Sequence, residues 1–132
     1  MVIGKVGPDD VHSGGGVMAI SAEPSKQNYT VKSVENVVLG ADVQARIFTL
    51  APGEVIPWHL HSETTDYYFV LSGRLTIETR SPADRQTFAV GERYKIMPGN
   101  AHMLSNREKT DSQFLLLQGV GKYDWIKAES GQ

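Results

Sequence analysis

The chain has 132 residues, with 13 Lys and Arg against 15 Asp and Glu and a net charge of −2. That is the length of one globular domain, with neither a basic stripe for nucleic acid nor an acidic solvating tail. It contains no cysteine, which excludes disulfides, thiolate nucleophiles, zinc–cysteine sites and iron–sulfur clusters together, so any metal must be held by oxygen and the four histidines.

Residues 1–27 read as a partly ordered N-terminal arm. Gly4, Gly7, Pro8 and the run Ser13, Gly14, Gly15, Gly16 interrupt any period, and residues 22–25 read as a turn. The apolar piece at 17–20 suits an edge strand or a dimer contact. His12, beside the glycines, reads as a solvated tail residue. The first residues include Asp9 and Asp10 and lack the apolar segment of a secretory signal. No apolar run approaches the ~18 residues of a membrane span. A cytoplasmic location is the expectation.

Residues 28–132 read as a β-barrel domain. Predicted strands cover residues 31–39, ended by Gly40, and 43–50, stopped by Pro52 and Gly53. Residues 55–61 follow, then 67–71 and 75–79, which flank the short hairpin signal Ser72 and Gly73. Residues 86–90 end at Gly91, and 94–97 end at Pro98 and Gly99; strands at 102–104, 114–118 and 123–126 close the chain. Turn signals recur every 8–12 residues or so, the spacing of a sandwich or small barrel, and no stretch holds a helical apolar period. The fold class is all-β. No fixed-period repeat, phosphate-binding loop, dinucleotide fingerprint or G-x-S-x-G elbow is present.

His59 and His61 lie two apart on one predicted strand. Alternate strand residues leave the same face about 6.5–7 Å apart, so both imidazoles can converge on one ion. Asp66 opens the next strand and can return a carboxylate to it, and His102 stands at the start of another. Two histidines, a carboxylate and a further histidine suit Fe, Mn, Ni, Cu or Zn.

These residues carry a resemblance. The segment from Gly53 through His59, His61 and Asp66 to Gly73 resembles the first cupin motif, G-x5-H-x-H-x3,4-E-x6-G. The segment from Gly91 through Met97, Gly99 and His102 to Asn106 resembles the second, G-x5-P-x-G-x2-H-x3-N, with Met97 in the place of proline and Pro98 after it. The 17 residues between Gly73 and Gly91 match the short spacing of small microbial cupins. The resemblance implies a double-stranded β-helix, a jelly-roll-like barrel of roughly six to eight strands per layer, with one metal in its mouth and often a dimeric assembly. It implies His59, His61 and His102 as ligands. Asp66 replaces the family's glutamate and is one methylene shorter. The set is therefore three histidines with open positions, or three histidines and Asp66, with Asp66 otherwise orienting an imidazole.

Other residues are assigned by strand parity. Tyr68 shares the parity of Asp66 and should point into the barrel, as a catalytic or substrate-binding phenol or as filler with a bonded hydroxyl. Glu63 is the rival carboxylate and a second catalytic candidate, and is expected rather as a charge at the pocket rim. Gln44, Arg46 and Phe48 share one face of their strand. Arg46 is expected on the outer face, the alternative being the barrel interior, where it would suit a carboxylate substrate. Arg46, Phe48 and Gln118 are the candidate pocket residues. Tyr67, Phe69 and Leu71, with Trp58 and Leu60, should form one apolar surface that a partner protomer or the N-terminal arm would cover.

An ion held by imidazole and carboxylate keeps open positions. It can activate O₂ with a chelating substrate or polarise a carbonyl. The expected function is a metal-dependent enzyme of dioxygenase or oxidoreductase type acting on a small organic molecule. The alternatives are an isomerase or lyase using the ion as Lewis acid, and a non-catalytic small-molecule or metal-binding module. The expected partners are a small molecule and a second copy of the chain, with no nucleic acid and no membrane.

Overall fold

The computed structural model describes residues 29–128. The N-terminal arm, with His12 and the apolar piece at 17–20, lies outside the described residues. Ten strands follow one another: β1 (Ser33–Leu39), β2 (Val43–Leu50), β3 (Val55–Leu60), β4 (Thr65–Ser72), β5 (Arg74–Arg80), β6 (Ala83–Ala89), β7 (Arg93–Ile96), β8 (His102–Ser105), β9 (Ser112–Gly119) and β10 (Ile126–Lys127). They form two five-stranded sheets, β1-β2-β9-β4-β7 and β10-β3-β8-β5-β6, with every pairing antiparallel. This is the double-stranded β-helix, with five strands per layer instead of six to eight.

Alternation builds the interior. On β2 Gln44, Arg46, Phe48 and Leu50 are buried; on β4 Asp66, Tyr68 and Val70; on β9 Ser112, Phe114, Leu116 and Gln118. Register stacks these into rows. Phe48 lies opposite Phe114, which lies opposite Val70. Ile56 lies opposite Leu104, which lies opposite Ile77. These rows make the apolar core, with Phe48 stacked on Phe114 at 5.3 Å. The rows at one end are polar: Gln44, Gln118 and Asp66 on one sheet, His59, His102 and Thr79 on the other.

The glycines at 53, 73, 91 and 99 all take positive φ at corners between strands. At Gly73 the requirement is also steric, because a Cβ there would stand 2.4 Å from the Asp111 carbonyl oxygen. Asn106 ties a corner together. Its Nδ2 donates to the carbonyls of Leu50 and Thr110 at 2.9 and 2.8 Å, and its Oδ1 accepts the Glu108 N–H.

Four expectations change. Ser72 and Gly73 do not close a hairpin, because β4 pairs with β7 and β9 in one sheet and β5 with β6 and β8 in the other. Arg46 is inside, 5% exposed, because its strand buries the Gln44–Arg46–Phe48 face. Residues 123–125 are not a strand; β10 begins only at Ile126. The apolar surface is divided. Tyr67, Phe69 and Leu71 belong to β4 in one sheet, while Trp58 and Leu60 belong to β3 in the other. The Arg80 guanidinium covers Trp58 at 4.0 Å. Tyr67 and Phe69 line a groove of about 430 Å³ with Arg93, Tyr94 and Lys95.

Candidate metal centre

A bulge aims the first ligand candidate. Between the pairs Ile56 with Leu104 and His59 with His102, β3 carries one residue more than β8. The extra residue lies at Pro57 and Trp58, where proline has no N–H to lose from the ladder. The slip buries both Ile56 and His59 although they are three apart. His61 follows the end of β3, and His102 opens β8 directly opposite His59.

One ring nitrogen of each of His59, His61 and His102 lies within 4.8 Å of the others, and all three residues are buried. Their Nδ1 atoms are engaged elsewhere. His59 Nδ1 meets the Pro57 carbonyl at 2.7 Å, His61 Nδ1 the Asp124 carbonyl at 2.6 Å and His102 Nδ1 the Asn100 carbonyl at 2.8 Å. A carbonyl brings no proton, so each Nδ1 carries the hydrogen and each neutral ring turns its Nε2 lone pair inward.

Asp66 joins this cluster from β4. Its Oδ2 stands 3.1 Å from His102 Nε2 and 3.3 Å from His61 Nε2. Tyr68 Oη donates to the same oxygen at 2.7 Å, and Gln118 Nε2 donates to Oδ1 at 2.9 Å. His102 Nε2 is buried without a hydrogen-bond partner. Lone pairs that converge out of water repel unless a cation lies among them. The donor set therefore fits a divalent ion, which His59, His61 and His102 could hold with Asp66 beside two of them.

The electrostatics agree. Burial, then the charges of His102 and His61, push the His59 pKa well below 6.5, toward the neutral form a metal requires. Burial would lower His61 too, but the hydrogen bond and charge of Asp66 reverse this and raise it. Burial would raise Asp66, but His102 and His61 outweigh it and hold the carboxyl well below the usual range. Burial first, then the charge and hydrogen bond of Asp66, drive the Tyr68 pKa far above 10. Tyr68 is thus a protonated donor fixed on Asp66.

Gln118 links the centre to Arg46. Its Oε1 accepts from Arg46 Nη2 at 2.7 Å and from Gln44 Nε2 at 2.9 Å, which fixes the amide with its nitrogen toward Asp66. Glu63 is not brought to the centre. Its side chain is exposed and its Oε1 accepts the Lys122 N–H at 3.0 Å. The polar link after His61 ends the alternation that would have turned it inward.

Residues 123–125, read in the sequence as a strand, lie over the mouth. Trp125 stacks on His59 at 4.8 Å and on Tyr29 at 6.0 Å. Tyr123 lies 5.4 Å from the His61 ring. Asp124 accepts from the Ser62 N–H and hydroxyl while its carbonyl anchors His61. Only the clustering of aromatics in Tyr123 and Trp125 around an acidic residue hinted at this.

A two-sheet antiparallel barrel whose mouth gathers three buried histidines defines a protein class, the small double-stranded β-helix proteins with a site that could hold a metal. The chain belongs to the Cupin_2 family: its cupin domain matches residues 46–118. A double-stranded β-helix domain protein from Klebsiella pneumoniae subsp. pneumoniae superposes with a TM-score of 0.66 at 20% identity, covering 74% of this chain and 84% of that one. A cupin-2 domain containing protein from Shewanella frigidimarina gives 0.57 at 22% identity, covering 76% and 91%. An oxalate oxidase gives 0.62 at 19% identity, and this chain, covered over 73%, spans only 54% of it. At these identities the likeness is one of fold. No curated protein matches the chain. Among the described residues no helix is long and apolar enough to cross a membrane.

Proposed function

We propose that this protein is a mononuclear metal enzyme acting on a small organic molecule, with chemistry of the dioxygenase or oxidoreductase type. The observation that carries this reading is the set of three carbonyl-anchored imidazoles whose Nε2 lone pairs converge beside Asp66. A bound divalent ion would supply Lewis acidity there, and redox capacity in the case of iron, manganese or copper. The chain's own residues do the rest. The backbone carbonyls fix the tautomers, Tyr68 and Gln118 hold Asp66 in place, and residues 123–125 keep water from the mouth. Tyr68, already donating to Asp66, is a positioning residue.

The test is metal analysis of the purified protein, followed by oxygen uptake across diketones, catechols and hydroxy acids with each metal. Stoichiometric metal with substrate-dependent oxygen uptake supports the reading. Failure to bind any of Fe, Mn, Ni, Zn or Cu overturns it. Metal binding with substrate turnover but no oxygen uptake would favour an isomerase or lyase.

The same reading takes the protein as a homodimer, supported by the aromatic groove at Tyr67, Phe69 and Tyr94 on the outer face of β4 and β7. Sedimentation velocity that finds only monomer at high concentration overturns that part.

A further inference from the structure

We propose that the ligand of this site is a small carboxylate and that Arg46 recognises it. The proposal rests on the metal reading above and narrows its substrate class. The carrying observation is a buried cation without an anion. Arg46 is 5% exposed, and among the described residues no carboxylate lies within 4.0 Å of its guanidinium. Its Nη2 donates to a neutral amide oxygen, Gln118 Oε1, and its Nε is buried with no partner at all. Its remaining neighbours are aromatic faces, Phe48 at 5.1 Å and Tyr123 at 5.4 Å. Cation–π contacts stabilise a guanidinium but leave its N–H groups unsatisfied. A buried charge is otherwise paired.

The charge balance of the centre points the same way. A divalent ion contributes two positive charges and Arg46 one, against the single negative charge of Asp66. The excess is positive, so the site favours an anion. The guanidinium fork matches a carboxylate in plane and spacing. Arg46 lines the same cavity as His59, His61 and Gln118, so one small molecule can meet both the fork and the ion. That cavity is only about 10 Å³ as folded, room for about one water. Residues 123–125 must therefore move aside to admit a ligand, and the ligand must be short.

The experiment compares L-lactate with L-lactamide, which match in shape and differ in charge. Binding is measured by calorimetry on zinc-loaded protein, with zinc content determined separately for every sample. The expected result is at least tenfold tighter binding of lactate, a preference that disappears in Arg46→Met and survives in part in Arg46→Lys. Equal binding of acid and amide by the parent protein overturns the proposal, and so does a preference that persists in Arg46→Met. If Arg46→Met does not fold, the acid–amide comparison on the parent and the reduced preference of Arg46→Lys decide, and a preference undiminished in Arg46→Lys overturns the proposal. Protein that takes up no zinc fails the metal reading instead, and the same pair measured on it then tests Arg46 alone, with preference for the acid still expected.

Discussion

Asp66 Oδ2 faces His102 Nε2 at 3.1 Å, and in the neutral ring neither atom carries a proton. Two acceptors at that separation need positive charge between them, either a proton or a metal ion. His61, at 3.3 Å from the same oxygen, is the group whose pKa is raised above 6.5, whereas His59 is driven below it. Of the two rings, His61 is therefore the one that holds a proton more readily against an entering metal, and His59 the one that holds it less. Calorimetry in buffers of different ionisation enthalpy should find proton release on metal binding that grows as the pH is lowered, with affinity falling in step. The metal-free protein should show the matching stability change. The His61 contribution is present below pH 6.5 and is lost as pH rises through the raised value. That of Asp66 is present above pH 3.8 and is lost as pH falls toward its depressed value. Metal affinity independent of pH, with no proton released, would contradict this account.

The reach of Asp66 can be measured directly. Asp66→Asn keeps the shape and removes the charge. Affinity should fall by at least about tenfold in a chelator competition, the scale for residues that orient metal ligands, and an unchanged affinity would remove Asp66 from the centre. Tyr68→Phe removes only the 2.7 Å hydrogen bond that holds the carboxylate. Its expected cost is about 2 kcal/mol of stability, as for a hydrogen bond to a charged group, with a smaller loss of affinity than Asp66→Asn. The opposite ranking would make Tyr68 more than a positioning residue.

The strands and the three histidines were legible in the sequence because alternation and spacing are local. β2 runs over the expected residues, and the His59 and His61 pair needed only the period of a strand. Which face of β2 turns inward is not local. Arg46 was expected outside because arginine rarely lies inside, and its burial follows from the polar row that Gln44, Gln118 and Asp66 form across three strands. The bulge at Pro57 and Trp58 was equally hidden, since it exists only relative to β8. Residues 123–125 alternate like a strand, but Asp124 gives its carbonyl to His61 instead of to a ladder.

The corner between β4 and β5, where the chain passes from one sheet to the other, should tolerate no side chain. Gly73 has φ 70°, and a Cβ there would press on the Asp111 carbonyl at 2.4 Å and the Ser112 Cα at 3.0 Å. Both obstacles are backbone and cannot rotate away. Gly73→Ala should lose at least about 2 kcal/mol by chemical denaturation, combining left-handed strain with the displaced β9 entry. Gly53→Ala has similar φ but open space around it, so its loss should be smaller. Equal losses would mean that dihedral strain alone sets the cost.

Trp125 covers the centre from outside the barrel, stacked on His59 at 4.8 Å and interplanar 14°. It donates nothing to an ion, so its removal separates access from coordination. Trp125→Ala exposes the His59 ring and removes the stacking of Trp125 on Tyr29, at a cost of about 2 kcal/mol for a half-buried aromatic. The metal ligands and their carbonyl anchors stay in place, because His59 is held by Pro57 and His61 by the backbone of Asp124. Stoichiometry at saturation should therefore be unchanged, while a chelator strips the ion faster than from the parent protein. Asp124→Ala should act in the same direction by releasing Ser62, whose N–H and hydroxyl bind that carboxylate. If both variants release metal at the parent rate, residues 123–125 do not control access, and the opening that a carboxylate needs must lie elsewhere around Arg46.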